Sequence, residues 1–173
     1  MTSKRFGIAG WSGSGKTTLV RRLVPELIGR GLAVSTVQHA HHDFDVDRPG
    51  KDSYEHRAAG AKEVMVASSV RWALMHEGRG EAESSLDDLV RRMTPVDLIL
   101  IEGFKTERYH KLEVHRPSLG KKLLCVGDAE IVALASDVAM DGAGLPVFGL
   151  DDVVAIADFI IRHCGLASAR GAA

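Results

Sequence analysis

The chain has 173 residues, 45% of them hydrophobic and 26% charged, with two cysteines and a formal net charge of -1. Those values predict one folded domain over residues 1–166 with a frayed tail over 167–173, and they argue against disorder, a disulfide-stapled secreted scaffold and an overall basic field for nucleic acid or membrane. No apolar run approaches the roughly 18 residues of a bilayer span, and glycines and a lysine interrupt any leader pattern after Lys4 and Arg5, so the expectation is a soluble cytoplasmic protein with no nucleic-acid or membrane partner.

Residues 5–9 predict a short buried strand that runs into a glycine-rich turn. From Lys16 the period becomes helical, with Leu19, Val20, Leu23, Leu27 and Ile28 on one face. Pro25 kinks this helix rather than ending it, and Gly31 stops it. A second strand over 32–37 leads into a polar loop over 39–51, then a helix over 53–59 with Asp52 as its cap. Residues 63–67 and 70–75 read as a hairpin around Ser68 and Ser69, and a helix starts at Ser84 or Ser85 and continues to Met93. The nearly continuous apolar run 96–101 is the pattern of a strand covered on both faces. Shorter strands are expected over 112–114, 123–126, 131–135 and 146–149, before an Asp151-capped helix carrying Val153, Val154, Ile156, Ala157, Ile160 and Ile161. Strand–helix alternation at both ends predicts a three-layer α/β fold with a mainly parallel sheet, and the glycine-rich turn after the first strand makes it one of the P-loop NTPase kind. The middle predicts an antiparallel hairpin extension, whose open edge would invite a second subunit.

The segment Gly10-Trp11-Ser12-Gly13-Ser14-Gly15-Lys16-Thr17 fits G-x-x-x-x-G-K-[ST] at every fixed position, between a buried strand and an amphipathic helix as the motif requires. Gly10, Gly13 and Gly15 let the backbone curl, so that amides from Gly13 to Thr17, with Ser12 and Ser14 completing the cradle, point at phosphate oxygens. The helix's own N-terminal donors add partial positive charge. Lys16 is expected to reach the β- and γ-phosphates, Thr17 to ligate Mg²⁺ and Thr18 to donate to the α-phosphate. Trp11 reads as a packed aromatic on the loop's flank.

A second acidic element is needed for the metal, and the run 96–103 ends its apolar stretch in Glu102-Gly103. At the carboxyl end of a parallel strand, Glu102 would hold Mg²⁺ through water or orient the attacking water. Asp97, at the other end, reads as a surface turn. The loop carrying His39, His41, His42, Asp43, Asp45, Asp47 and Asp52 has two readings, a transition-metal site or a nucleotide-responsive switch loop. In the second reading Asp45 and Asp52 are the carboxylates expected to approach Mg²⁺ or the water at the γ-phosphate. Six basic residues against two acidic ones between Lys105 and Lys122 read either as a second anion site or as a solvated hairpin.

The glycine loop, the run from His39 through Asp47 to Pro49-Gly50-Lys51-Asp52-Ser53, Ala59-Gly60-Ala61 and Glu102-Gly103-Phe104-Lys105 occur in this order. Together with Leu112-Glu113-Val114-His115-Arg116 and the stretch ending at Asp137, they resemble the MobB family of molybdopterin-guanine dinucleotide biosynthesis adaptor proteins over nearly the whole chain. The resemblance implies a homodimeric P-loop protein that binds GTP with Mg²⁺, hydrolyses it slowly and assists the guanylyltransferase that joins GMP to molybdopterin, with molybdopterin itself a further candidate ligand. Guanine offers two adjacent donors that one carboxylate can accept. Leu134-Ala135-Ser136-Asp137 stands where other GTPases carry Asn-Lys-x-Asp, so Asp137 is the candidate base reader although the Asn and Lys are absent. A small-molecule or nucleotide kinase and a metallochaperone NTPase are the competing readings.

Overall fold

The computed structural model describes residues 2–40, 44–104, 107–141 and 144–167. In chain order the elements are β1 (Lys4–Ala9), α1 (Lys16–Ile28), β2 (Val34–Gln38), α2 (Asp52–Ala58), β3 (Glu63–Ala67), β4 (Trp72–His76), α3 (Leu86–Arg91), β5 (Leu98–Glu102), β6 (Lys111–His115), a 3-10 turn (Pro117–Leu119), β7 (Ile131–Ser136), β8 (Val147–Gly149) and α4 (Val153–Cys164). The chain divides into two compact units, Met1–His39 with Met93–Ala173, and Ala40–Arg92.

The first unit is built on a six-stranded sheet in the order β2-β5-β1-β6-β7-β8, parallel at every pairing. Its central strand β1 sets Phe6 opposite Leu100 and Ile8 opposite Leu112. Those four side chains join Leu19, Leu23 and Leu27 of α1 and Ile156, Ala157, Ile160 and Ile161 of α4 in one buried cluster. The spacing of the three leucines along α1 is one helical face, which is why that face is the buried one. Ile99 and Ile101 are buried too, on the opposite face from Leu98 and Leu100, so the uninterrupted apolar run of β5 is explained by burial on both sides. Each such side chain removed from water stabilises the fold by about 1.5–3 kcal/mol before entropy is counted. The helix α1 runs through Pro25, and the Gly29 amide still donates to the Pro25 carbonyl at 2.9 Å.

A parallel sheet delivers every strand's carboxyl end to one edge. Gly10, Glu102, Arg116 and Asp137 follow or end β1, β5, β6 and β7, so that edge collects four segments far apart in sequence.

The second unit carries α2, the β3–β4 hairpin and α3. Among the described residues antiparallel pairing is confined to this hairpin, which forms its own two-stranded sheet with Met65 opposite Leu74 and Ala67 opposite Trp72. Arg57 of α2 donates to both oxygens of Asp45 at 2.8 Å and to Glu77 at 2.9 Å. Lys62 reaches Glu81, and His76 meets Glu63 at 2.8 Å.

Three expectations are corrected. Residues 123–126 form a turn rather than a strand: both edges of β6 are taken by β1 and β7, and the Leu124 and Cys125 amides bend back onto the buried Glu113 carboxylate at 2.8 and 3.0 Å. Asp52 does not cap α2; it is the first helical residue, where its charge still favours the helix dipole, and Lys51 occupies the cap position. The cap of α4 is Asp152, which accepts from the Ala155 amide at 3.1 Å, while Asp151 pairs with Arg22 of α1 at 2.6 Å. Ser85 does cap α3, accepting from the Asp88 amide. Among the described residues no helix is long and apolar enough to cross a membrane.

Candidate functional site

The glycine loop joins β1 to α1, and its shape is one that only glycine permits at two places. Gly15 sits at a φ of 104° immediately before the helix and, having no side chain, offers the helix no side-chain cap. Gly10, at a φ of 142°, lies against β6: a Cβ there would come within 2.4 Å of the Val114 carbonyl oxygen. Ser14 is buried in this contact, and its hydroxyl has no hydrogen-bond partner among the described residues. Ser12, Gly13, Thr17 and Thr18 are exposed along the outer rim.

Lys16 folds across the loop and donates from Nζ to the Trp11 carbonyl at 3.0 Å. The Trp11 indole N–H donates to the Lys122 carbonyl at 2.8 Å, and the Lys121 ammonium lies 5.6 Å from the ring centre, so Trp11 packs on the flank as its sequence context implied. Thr17 Oγ1 donates to Glu102 Oε1 at 2.8 Å, across 85 residues of sequence. Thr17 and Glu102 thus meet at the sheet's carboxyl end, while Lys16 lies across the loop on the Trp11 carbonyl.

Glu102 is fixed from both sides. Its carbonyl accepts the His39 amide at 2.8 Å, continuing the β2–β5 ladder. The next residue, Gly103, has a φ of 96°, and a Cβ there would stand 2.6 Å from His39 Cβ. Phe104 follows at a φ of 49°, uncommon for an aromatic residue, with its ring 4.8 Å from the His39 ring. The Tyr109 hydroxyl donates to the Gly103 and Phe104 carbonyls at 2.8 and 3.2 Å, and burial pushes its phenol well above the ordinary value, so it stays a donor. Sequence reading missed Tyr109, since nothing in its spacing distinguishes it from a core aromatic.

Asp137 follows β7 and accepts from Arg116 at 2.7 Å; Arg116 also donates from Nε to the Ser14 carbonyl at 2.9 Å. The basic stretch 105–122 is thereby dispersed. Lys111 is buried and paired with Asp128 at 3.1 Å, Arg116 turns to the glycine loop and Lys121 to Trp11, while Lys105 lies outside the described residues. Arg116 was visible in sequence only as one member of that basic run.

The other predicted carboxylates belong to the second unit. Asp45 is engaged by the Asp47 amide and by Arg57, which together hold its carboxyl below the usual range. Asp52 is exposed in the first turn of α2. Of the three histidines, His39 ends at β2 as described, and His41 and His42 lie outside the described residues. Among the described residues no three His, Cys, Asp or Glu side chains converge on a metal position. Cys164 packs against the core, where burial pushes its thiol up to about 11, and Cys125 is likewise raised by burial.

A match to the family described as molybdopterin guanine dinucleotide synthesis protein B covers residues 6–137. The chain is 46% identical over 160 residues, 91% of each chain, to the molybdopterin-guanine dinucleotide biosynthesis adapter protein of Escherichia coli (strain K12). It is 40% identical over 157 residues to the protein of the same name from Haemophilus influenzae, covering 90% of this chain and 86% of that one. Among solved structures, molybdopterin-guanine biosynthesis protein B superposes with a TM-score of 0.72 at 30% identity, covering 92% of this chain and 99% of that one. With the glycine loop, the parallel sheet behind it and these likenesses in agreement, the chain belongs to the MobB family of molybdopterin-guanine dinucleotide biosynthesis adapter proteins.

Proposed function

We propose that this adapter binds GTP with Mg²⁺ in the glycine loop and hydrolyses it slowly, and that the nucleotide state governs its contact with the guanylyltransferase that makes the dinucleotide cofactor. The observation that carries the reading is the 2.8 Å contact between Thr17 Oγ1 and Glu102 Oε1 beside an uncapped helix start. A hydroxyl and a carboxylate converging there are the hard oxygen donors that Mg²⁺ takes. Both residues fit the ion, Thr17 directly and Glu102 directly or through water; once bound, it would neutralise charge on the β- and γ-phosphate oxygens.

The chain's own groups then divide the work. Lys16 exchanges the Trp11 carbonyl for phosphate oxygens, and Gly13 to Thr17 offer amides to the same oxygens. Gly10 and Ser12 shape the rim, and Thr18 stands one residue further along α1 for the α-phosphate. Water attacks the γ-phosphorus in line as the bond to the β–γ bridging oxygen breaks, and the bridging oxygen leaves with the diphosphate. Glu102 is the carboxylate positioned to orient that water. The Asp137 carboxylate reads the paired donors of guanine.

Self-association has its own support. Met65, Leu74 and Trp72 share one face of the hairpin and are 61%, 43% and 64% exposed, an apolar surface suited to a homodimer. Calorimetry and thermal melting with GTP, ATP and Mg²⁺ test the central claim: a ligand bound only by the native state raises the melting point. GTP with Mg²⁺ should raise it more than ATP with Mg²⁺, and no shift with either nucleotide refutes the reading.

A further inference from the structure

We propose that Arg116 is a positioning residue that joins the phosphate loop to the base-reading carboxylate, so that phosphate grip and guanine preference depend on one guanidinium. The inference rests on the nucleotide reading above and extends it to a residue that the sequence placed in an undifferentiated basic run.

Three observations carry it. Arg116 Nε donates to the Ser14 carbonyl at 2.9 Å while its NH1 donates to Asp137 Oδ2 at 2.7 Å, so the planar fork spans two segments 123 residues apart by their numbers. Fork geometry holds both acceptors in one fixed arrangement, which a single ammonium does not. Second, the Ser14 carbonyl and the Gly15 amide belong to one planar trans peptide and point in opposite directions. Holding the oxygen toward Arg116 therefore aims the Gly15 N–H away from Arg116. The guanidinium lies beside Gly15, where a Cβ would stand in ordinary contact with Arg116 atoms at 3.6 and 3.7 Å. Third, the loop is already pressed on the end of β6 through Gly10 and the Val114 carbonyl, two residues before Arg116, so β6 supplies a rigid base for the strut.

Asp137 has one oxygen on Arg116, and that contact orients the carboxylate.

The test uses the full chain and three probes: GTP, ATP and inorganic tripolyphosphate, which has no base. Arg116→Ala should weaken tripolyphosphate and ATP by about tenfold, the scale of one charge-assisted hydrogen bond, and GTP by a further several-fold, so that the GTP-to-ATP preference shrinks. A purely structural role would lower the melting point and leave that preference as it was. Arg116→Lys keeps the charge but not the fork, and should recover part of the tripolyphosphate affinity without restoring the preference. Should Arg116→Ala fail to fold, Arg116→Lys carries the test on the preference alone. Unchanged tripolyphosphate affinity in a folded Arg116→Ala, or an unchanged preference in Arg116→Lys, overturns the proposal. Asp137→Asn keeps an acceptor for Arg116: selective loss of GTP there, with Arg116→Ala unaltered, sinks the strut and spares the base reader. Equal losses of GTP and ATP in Asp137→Asn sink the base reader instead.

Discussion

The two compact units are held by different physics. In the first, Phe6, Leu23, Leu27, Leu98, Leu112 and Ile160 are almost wholly withdrawn from water, and the glycine loop is mounted on the strand at the centre of that core. In the second, Val64 and Leu86 are buried, while Met65, Val66, Val70, Trp72 and Leu74 are exposed and the ion pairs of Arg57 and Lys62 are prominent. Exposed ion pairs contribute little each, about 0–1 kcal/mol, whereas buried apolar side chains contribute more. A site that must hold amides to within fractions of an ångström sits in the unit whose geometry is fixed by packing. The hairpin face of the second unit, with Met65, Trp72 and Leu74 exposed together, is suited to meeting other molecules.

The sharpest break of this contrast is Lys16→Ala. It should reduce GTP affinity by at least ~100-fold, since Lys16 is the loop's charged donor to phosphate, while leaving the melting point of the free protein nearly unchanged; unaltered affinity by calorimetry would refute the site. Next, Leu23→Ala should destabilise the first unit by about 2–5 kcal/mol in denaturant melts, because it opens a cavity in a fully buried position. Asp137→Asn should cost GTP about tenfold more than ATP, as one paired donor interaction is lost to guanine alone; equal losses would remove its role.

Acid should separate the units by pH. Burial, and then its 2.7 Å neighbour His110, lower the His163 pKa from 6.5, so below that value the unfolded chain takes up a proton the folded chain resists. Stability of the first unit should therefore decline as pH falls through 6.5, and His163→Gln should flatten that decline. Asp45 responds in the same direction at lower pH: its carboxyl is held below the ordinary 3.8, so its contribution is full above that value and is lost as pH falls through the lower folded one. Hydrogen exchange across the pH range would show the first unit responding before the Asp45 loop. The smallest effect belongs to Met65→Ser, which should change chain stability by less than ~0.5 kcal/mol yet lower the apparent mass in sedimentation if the hairpin face joins two copies.

Sequence alone determined the motif and most of the elements, because both depend on local spacing. The glycine loop is contiguous, its glycines answer to backbone angles, and the leucines of α1 declare their face by period. Glu102 was also legible, as a carboxylate ending an apolar strand. Tertiary structure alone decided which distant groups meet at the sheet's edge. Nothing local distinguishes Arg116 from Lys121, or Tyr109 from another core aromatic; the parallel strand order puts Arg116 between Ser14 and Asp137 and Tyr109 beneath Gly103. It also decided that residues 123–126, apolar enough for a strand, would turn back onto Glu113, since β1 and β7 had already taken both edges of β6. Hydrogen-bond capacity is shared across the whole sheet, so its allocation cannot be read from any one stretch of chain.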